Sequence, residues 1–477
     1  MCGQRCQHFP RAAGYYRKIT VASFYIQNFG CRATQADGAA IERQFEERGL
    51  TRASALAQSE IVILNTCTVT ASADQDARAT IRRIRRENPG CQIVVTGCYA
   101  QRAPEEVASL PGVTRVIGNS HKHQLAEIVV DSRAHDHATN ISADFVPLSS
   151  LAVEAQSEIF VSDIFAHTQL LAAPVFDASA PGTNNTRTRP NLKVQDGCDN
   201  RCSFCVIPYV RGQSRSLPLN QILDEVHALV NSGYREVVIS GINLGRWGRD
   251  FAKPARFETV VHEILDQTKL EKLRISSVEP MDWTDELIGM MARSPRIAKH
   301  AHVPLQSGSD RVLRAMHRKY RPWHYREKIE KLRAAMPTAA IGADVMVGFP
   351  GERPSDFDQT QKLIEELPFT YLHVFTYSPR PATPAADMRD QVPVQIARER
   401  NRILRDLAAE KKLAFMQTFV GKMVDAITLN VCDDKSTEAL TDNYLKLRVQ
   451  GRHAANQWMK ARVEQVEAGV LLANLFA

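Results

Sequence analysis

Twice along this chain of 477 residues, short apolar runs alternate with helix-length amphipathic segments. That rhythm constrains the fold more than any other feature. A strand covered on both faces reads as a continuous apolar run, and parallel neighbours need a crossover long enough to hold a helix. Within residues 19–130, ITVASFYI, SEIVILNT, CQIVVTG and VTRVIG are candidate strands, with helices over Asp37–Arg48 and Ala73–Glu87. This predicts a small α/β domain on a parallel sheet. The rhythm resumes over 189–412 with NLKVQDG, REVVISG, KLRISSV, HAHVPLQ, AIGADVMVGF and YLHVFTYS. Six such strands with helices between them predict a partial or full (β/α) barrel, whose sites collect at the carboxyl ends of its strands.

Between these parts, residues 131–188 are polar and turn-rich around an apolar interlude, and read as a connection with some local structure. The interlude could pack on either neighbour. A charged helix near Val392–Lys412 connects to residues 413–477, which are short and strand-rich. Their size suits a small β-barrel, a class that often grips single-stranded nucleic acid. Reading LTDNYLKLRV as a strand puts Tyr444, Lys446 and Arg448 on one face.

The cysteines sit on this frame in a pattern. Cys31 follows the first strand (FGCRATQ), Cys67 the second (LNTCTVT) and Cys98 the third (VTGCYAQ). Ligand sites in open α/β sheets lie beyond the carboxyl ends of strands, so the three are expected to share one metal site. Cys198, Cys202 and Cys205 form C-x3-C-x2-C directly after the first strand of the second set. Structural zinc would need a fourth ligand. No His or fourth Cys lies between Asp196 and Arg215, leaving Asp196 or Asp199. Soft thiolates also select iron–sulfur clusters, and a cubane held by three of them keeps one iron open. Cys2 and Cys6 lie in a basic extension read as a tail, and Cys91 and Cys432 read as ordinary cysteines.

Clustered cysteines without an export signal place the chain in a reducing cytoplasm. No apolar run is long enough to span a bilayer, so no membrane partner is expected. The net charge of +7 mildly favours a polyanionic partner.

The motif C-x3-C-x2-C after the first barrel strand resembles the radical S-adenosylmethionine superfamily. With NTCTVT, TGCYAQ, QDGCDNRCSFCVIPYVRG, SSVEP, HVPLQSGSDRVLRAMHRKY, DVMVGFPGE and TYSPRPATPA, the chain resembles its methylthiotransferase family. The resemblance implies two [4Fe–4S] clusters. Cys198, Cys202 and Cys205 would hold one, whose open iron chelates S-adenosylmethionine and yields a 5′-deoxyadenosyl radical. Cys31, Cys67 and Cys98 would hold the other, which carries the sulfur to be inserted. The last domain resembles the family's TRAM module, an RNA-binding β-barrel. NTCTVT, QDGC and RGQSRS look most like the MtaB branch, which acts on N6-threonylcarbamoyladenosine at position 37 in the tRNA anticodon loop. NFGCRATQADGAAIE departs from that branch's GCK-x-N-x-x-E-T-E pattern, lacking its Asn and Glu.

Further residues are expected at the cofactor: Phe204 along its adenine, and Ser240 and Gly241 at its methionine amino group. Ser277, Glu279 and Gln306 end later strands and face the same mouth. Phosphate contacts are expected from Arg82, Arg83, Arg85 and Arg86 on one helix, from Arg211 and Arg215, and from Tyr444 and Lys446. A low-potential electron donor and a sulfur source complete the implied partners. Rival readings are methylthiolation of N6-isopentenyladenosine or of a ribosomal protein aspartate, and a non-catalytic iron–sulfur or zinc RNA-binding protein.

Overall fold

The computed structural model describes residues 22–131, 157–167, 188–433 and 435–475. Cys2, Cys6 and most of the 131–188 connection lie outside these residues.

The N-terminal sheet is built from β1 (Ser23–Asn28), β2 (Thr51–Arg52), β3 (Ile61–Thr66), β4 (Gln92–Gly97), β5 (Val113–Ile117) and β6 (Glu158–Phe160). Their order is β2-β1-β3-β4-β5-β6, and every neighbouring pair is parallel. β3 is buried at all six positions because both faces are covered. Val62 and Leu64 pack with Ala77, Ile81 and Ile84 of the helix Ala71–Glu87. Ile61 and Ile63 point the other way, onto Ile41 and Phe45 of the helix Arg32–Glu47. The period-2 geometry of a strand thus splits one apolar run between two cores.

β6 differs from the sequence reading, which left its residues in the connection. Part of the apolar interlude pairs with β5 as a sixth strand, Arg115 facing Glu158 in the register. The Nε of Arg115 also donates to the Glu158 carboxylate at 2.7 Å. A few residues on, Ile164–Ala166 form a turn against the cysteine loop, where Arg215 Nη1 donates to His167 O at 3.1 Å. The interlude therefore touches both neighbours.

The second unit is an arc of parallel strands: β7 (Asn191–Asp196), β9 (Glu236–Gly241), β10 (Lys272–Ile275), β11 (His300–His302), β12 (Ala340–Val347) and β13 (Tyr371–Thr376). β8 (Arg215–Ser216) returns antiparallel along β7. Parallel bridges Leu273–Ile297 and Ser277–His302 join β10 to the β11 side. Among the described residues β13 does not pair back to β7, so the barrel is open. The N-terminal domain stands at that opening and is tied to both edges. Asp37 pairs with Lys193 of β7, and Asp74 accepts from Arg380, just beyond β13, at 2.7 Å.

The helix Val394–Gln417 leads to β14 (Met423–Cys432), β15 (Ser436–Thr441), β16 (Lys446–Gln450), β17 (Trp458–Glu467) and β18 (Val470–Leu475). These close into a barrel in the order β14-β15-β16-β18-β17 around Ala426, Leu447, Val449, Val463 and Leu471. LTDNYLKLRV is not one strand. It spans the end of β15, a tight turn and β16, with Tyr444 in the turn at φ +70°. Lys446 and Arg448 share the exposed face of β16, whereas Tyr444 points into the cavity described below. The turn docks on the amino-terminal side of the open barrel: Arg274 Nη1 donates to Asp442 O at 3.0 Å, and Asn443 Nδ2 to Thr338 O at 2.9 Å.

Candidate active site

The cysteine loop after β7 is fixed by backbone constraints. Gly197 has φ +70°, and a Cβ there would lie 1.8 Å from Gln213 O. Only glycine fits this position. Cys198 N donates to Gly212 O at 3.0 Å, closing the loop at its base. Ser203 pins the middle, its Oγ donating to Ala315 O at 2.7 Å and its N to Met316 O at 3.2 Å. Two side chains donate to the sulfurs: Asn243 Nδ2 to Cys198 Sγ at 3.6 Å and Arg318 Nη1 to Cys202 Sγ at 3.2 Å. Arg318 is itself held by Glu279 and by Tyr320.

The other three cysteines are gathered by the sheet. Cys31 caps the helix Arg32–Glu47, Cys67 follows β3, and Cys98 begins the helix after β4. Strand ends come close enough that a Cβ on Gly30 would stand 2.6 Å from Cys67 Cβ. Asn119 Nδ2 donates both to Cys98 Sγ at 3.6 Å and to Val210 O at 2.7 Å, linking this set to the segment after the other loop.

Burial pushes the thiols of Cys67 and Cys205 up to about 12, with neighbouring cysteines adding to the effect. Such thiols are poor nucleophiles at neutral pH, whereas a coordinating metal deprotonates a thiol outright. Among the described residues no three His, Cys, Asp or Glu side chains are gathered as around a single ion. Three soft thiolates in each set suit a four-iron cubane, which takes one thiolate per iron and keeps one iron open.

Between the two sets lies a buried ion cluster. Asp37 receives Lys122 at 3.0 Å, Arg211 at 3.0 Å, and Lys193. Asp196 receives Lys193 at 2.8 Å and Arg211 at 2.9 Å. Arg211 is therefore no phosphate contact: it is 2% exposed and its guanidinium is held by two carboxylates. Arg215 is half-buried, and its contact to His167 turns it toward the connection. Counting along the branch pattern from Cys31, its first Glu falls at Asp37 and its Asn at Thr34. The acid is thus kept in shorter form, and Thr34 Oγ1 lies 3.5 Å from Cys31 Sγ.

One cavity of about 730 Å³ collects the site. Its walls include Cys31, Cys198, Cys202, Cys205, Phe204, Ser240, Gly241, Ser277, Glu279, Gln306 and Tyr444, while Cys67 and Cys98 are buried and do not line it. Ser240 Oγ is buried on this wall without a hydrogen-bond partner, as a group awaiting a ligand would be. Gly241 also lines the cavity, and a Cβ there would meet Gln195 Oε1 at 2.8 Å. Gln306 holds φ +62°, a strained conformation for a side-chain-bearing residue. Sequence reasoning missed Arg318, Asn243 and Asn119 at the sulfurs. It also missed the floor, formed by Arg32, His300, His302, Tyr371 and His373. The i, i+2 pairs His300/His302 and Tyr371/His373 carried the available signal, since such residues share one face of a strand.

Comparison with known proteins agrees with this geometry. The model of the Radical SAM superfamily matches residues 192–364, and that of the Uncharacterized protein family UPF0004 matches residues 23–118. The threonylcarbamoyladenosine tRNA methylthiotransferase MtaB of Bacillus subtilis is 34% identical over 436 residues, which is 90% of this chain and 91% of the relative. The chain belongs to the radical S-adenosylmethionine methylthiotransferase family. Within the family, the tRNA-2-methylthio-N(6)-dimethylallyladenosine synthase of Nocardia farcinica is also 34% identical, over 85% of this chain and 77% of the relative. Among solved structures, the radical S-adenosylmethionine methyltransferase TsrM of Kitasatospora setae shares the fold. The TM-score is 0.56 at 16% identity, over 77% of this chain and 75% of that one. Membership brings S-adenosylmethionine and [4Fe–4S] clusters as cofactors, which the three-thiolate sets and the unpartnered Ser240 Oγ fit.

Proposed function

We propose that this chain installs a methylthio group on C2 of N6-threonylcarbamoyladenosine at position 37 of tRNA. The observation that carries the reading is that both cysteine sets reach one cavity, the N-terminal set through Cys31 alone and the loop set through Cys198, Cys202 and Cys205. A radical centre and a sulfur-bearing centre facing the same space suit replacement of an unactivated aromatic hydrogen by sulfur. The relatives from Bacillus subtilis and Aquifex aeolicus named threonylcarbamoyladenosine tRNA methylthiotransferase support the choice of nucleoside.

Bound at the open iron, S-adenosylmethionine would supply a carbon radical strong enough for that hydrogen. The chain's own residues hold and orient. Cys198, Cys202 and Cys205 would hold one cluster, and Cys31, Cys67 and Cys98 the other. Asn243 and Arg318 stabilise negative sulfur by donating to it. Ser240 offers a free hydroxyl to the cofactor, and Phe204 an apolar wall. Ser277, Glu279 and Gln306 line the remaining approach.

The target base has to leave its stack to reach this cavity. Phe375, 47% exposed at the rim, can stack on an entering base. Arg82, Arg83 and Arg86 are exposed, pair with no carboxylate among the described residues, and are free to meet phosphate. Lys446 and Arg448 offer the same on the C-terminal barrel. A low-potential electron donor and a sulfur source would complete the reaction, in the cytoplasm. No described helix is long and apolar enough to cross a membrane.

The test is mass spectrometry of tRNA nucleosides from a strain lacking the gene. Loss of 2-methylthio-N6-threonylcarbamoyladenosine supports the reading. An unchanged level, with loss of a 2-methylthio isopentenyl nucleoside or of a methylthiolated ribosomal aspartate, overturns it.

A further inference from the structure

We propose that Arg32 receives the carboxylate of the nucleoside's N6 substituent and so selects the threonylcarbamoyl substrate. The proposal rests on the substrate reading above.

Arg32 follows Cys31 directly and reaches into the cavity from the N-terminal domain. Its main chain is fixed, because Asn191 Nδ2 donates to Arg32 O at 2.8 Å. Its side chain is held at one corner only, with Nη2 3.3 Å from Tyr444 Oη. Nη1 is buried and has no hydrogen-bond partner. Among the described residues no carboxylate lies within ion-pair distance of Arg32. The other cations nearby are already matched: Arg318 pairs with Glu279, and Arg274 with Glu236 at 2.6 Å.

Arg32 is half-buried, and leaving its buried Nη1 without a partner is costly, so an anionic group entering the cavity would satisfy it. Two of the histidines beside it, His300 and His373, are disfavoured as cations. Burial holds His300 and His373 below the ordinary imidazole range, and the positive charge of Arg32 adds to that depression. Arg32 is thus the floor's permanent cation, with no carboxylate partner among the described residues. Asp344, also in the wall, lies 3.3 Å from His302 Nε2 rather than on Arg32.

The two nucleosides methylthiolated by relatives differ in what they bring here. An isopentenyl or dimethylallyl substituent is all hydrocarbon and would leave Nη1 unsatisfied. A threonylcarbamoyl substituent ends in a carboxylate, which a planar guanidinium can grip with two parallel hydrogen bonds. Discrimination by a site built to pair a polar group is strong because the wrong ligand leaves that group orphaned. S-adenosylmethionine also carries a carboxylate, and the test separates it from the substrate.

The experiment measures equilibrium binding of anticodon stem-loops to the full-length holoprotein. The loops carry N6-threonylcarbamoyladenosine, its side-chain carboxamide, or N6-isopentenyladenosine at position 37. Wild type should bind the acid roughly 10- to 100-fold tighter than the carboxamide, the worth of a charge-assisted contact. Arg32→Gln should bind acid and carboxamide alike, and Arg32→Lys should keep part of the preference. Iron content checks that the variants hold their clusters; should Arg32→Gln lose iron, Arg32→Lys carries the comparison. Undiminished preference for the acid in the variant that keeps its iron overturns the proposal. Equal weakening of all three loops does so too, since that marks a structural role, as does a loss confined to S-adenosylmethionine binding. A wild-type preference for the isopentenyl loop would instead overturn the substrate reading on which the proposal rests.

Discussion

Cys198, Cys202 and Cys205 come from eight consecutive residues of one loop, whereas Cys31, Cys67 and Cys98 come from the ends of three strands. The first set is shaped locally, by Gly197, the Cys198–Gly212 backbone bond and the Ser203 anchors. The second exists only when β1, β3 and β4 are in register and the N-terminal domain is docked. A local loop can keep its ligands together while its surroundings loosen. A set spread over 68 positions of sequence, from Cys31 to Cys98, depends on the sheet as a whole. The buried ions on Asp37 and Asp196 join the two, because they tie the helix beside Cys31 to the strand that launches the loop.

The largest effects should come from removing the ligands themselves. Replacing Cys198, Cys202 and Cys205 together by Ala should reduce S-adenosylmethionine cleavage to background. Replacing Cys31, Cys67 and Cys98 together should leave cleavage and abolish methylthio transfer, as read by chromatography of 5′-deoxyadenosine and of the tRNA nucleosides. Loss of cleavage in both would show that the sets are not separable.

Asp37→Asn comes next. It leaves Lys122, Lys193 and Arg211 short of a buried counter-charge, which costs about 3–5 kcal/mol in urea unfolding. Iron should be lost first from the distributed set. The same carboxylates give a pH signature. Burial would raise both, but Lys122, Lys193 and Arg211 hold Asp37 well below the usual carboxylate range, and Arg211 and Lys193 do so for Asp196. A depressed folded pKa means stability that is present above the unfolded value of about 3.9 and lost as pH falls toward the folded one. Acid unfolding should therefore be steep in wild type and shallower in Asp37→Asn.

Gly30→Ala is a narrower perturbation. Gly30 has φ +91° and faces Cys67, so an added Cβ should cost about 1–3 kcal/mol and weaken only the distributed set. Tyr444→Phe should be smallest. It removes one hydroxyl contact with Arg32, worth about 0.5–1.5 kcal/mol, and should be visible in thermal unfolding.

How much of this was legible beforehand follows the same division. Apolar runs marked β3, β4 and the six barrel strands, and motif spacing marked both cysteine sets. Each signal is contained within a few neighbouring residues. What stayed hidden depends on partners far apart in sequence. Arg211 looked like a phosphate contact because its chain neighbours do not reveal Asp37, 174 positions away. Tyr444 looked like part of a strand face because alternation continues across its turn, where only the positive φ breaks it. β6 was hidden because three residues are too few for a periodic pattern, and pairing with β5 supplies its geometry. Arg318 lay within a quoted motif, but its sulfur contact crosses 116 positions.

The central claim is that two separable clusters face one cavity. It is tested most directly by iron analysis with Mössbauer spectroscopy on anaerobically reconstituted protein and the two triple-Ala variants. The account predicts about eight irons in wild type and about four in each variant, at four per cubane. About four irons in wild type, loss of all iron in either variant, or zinc in place of iron would contradict it.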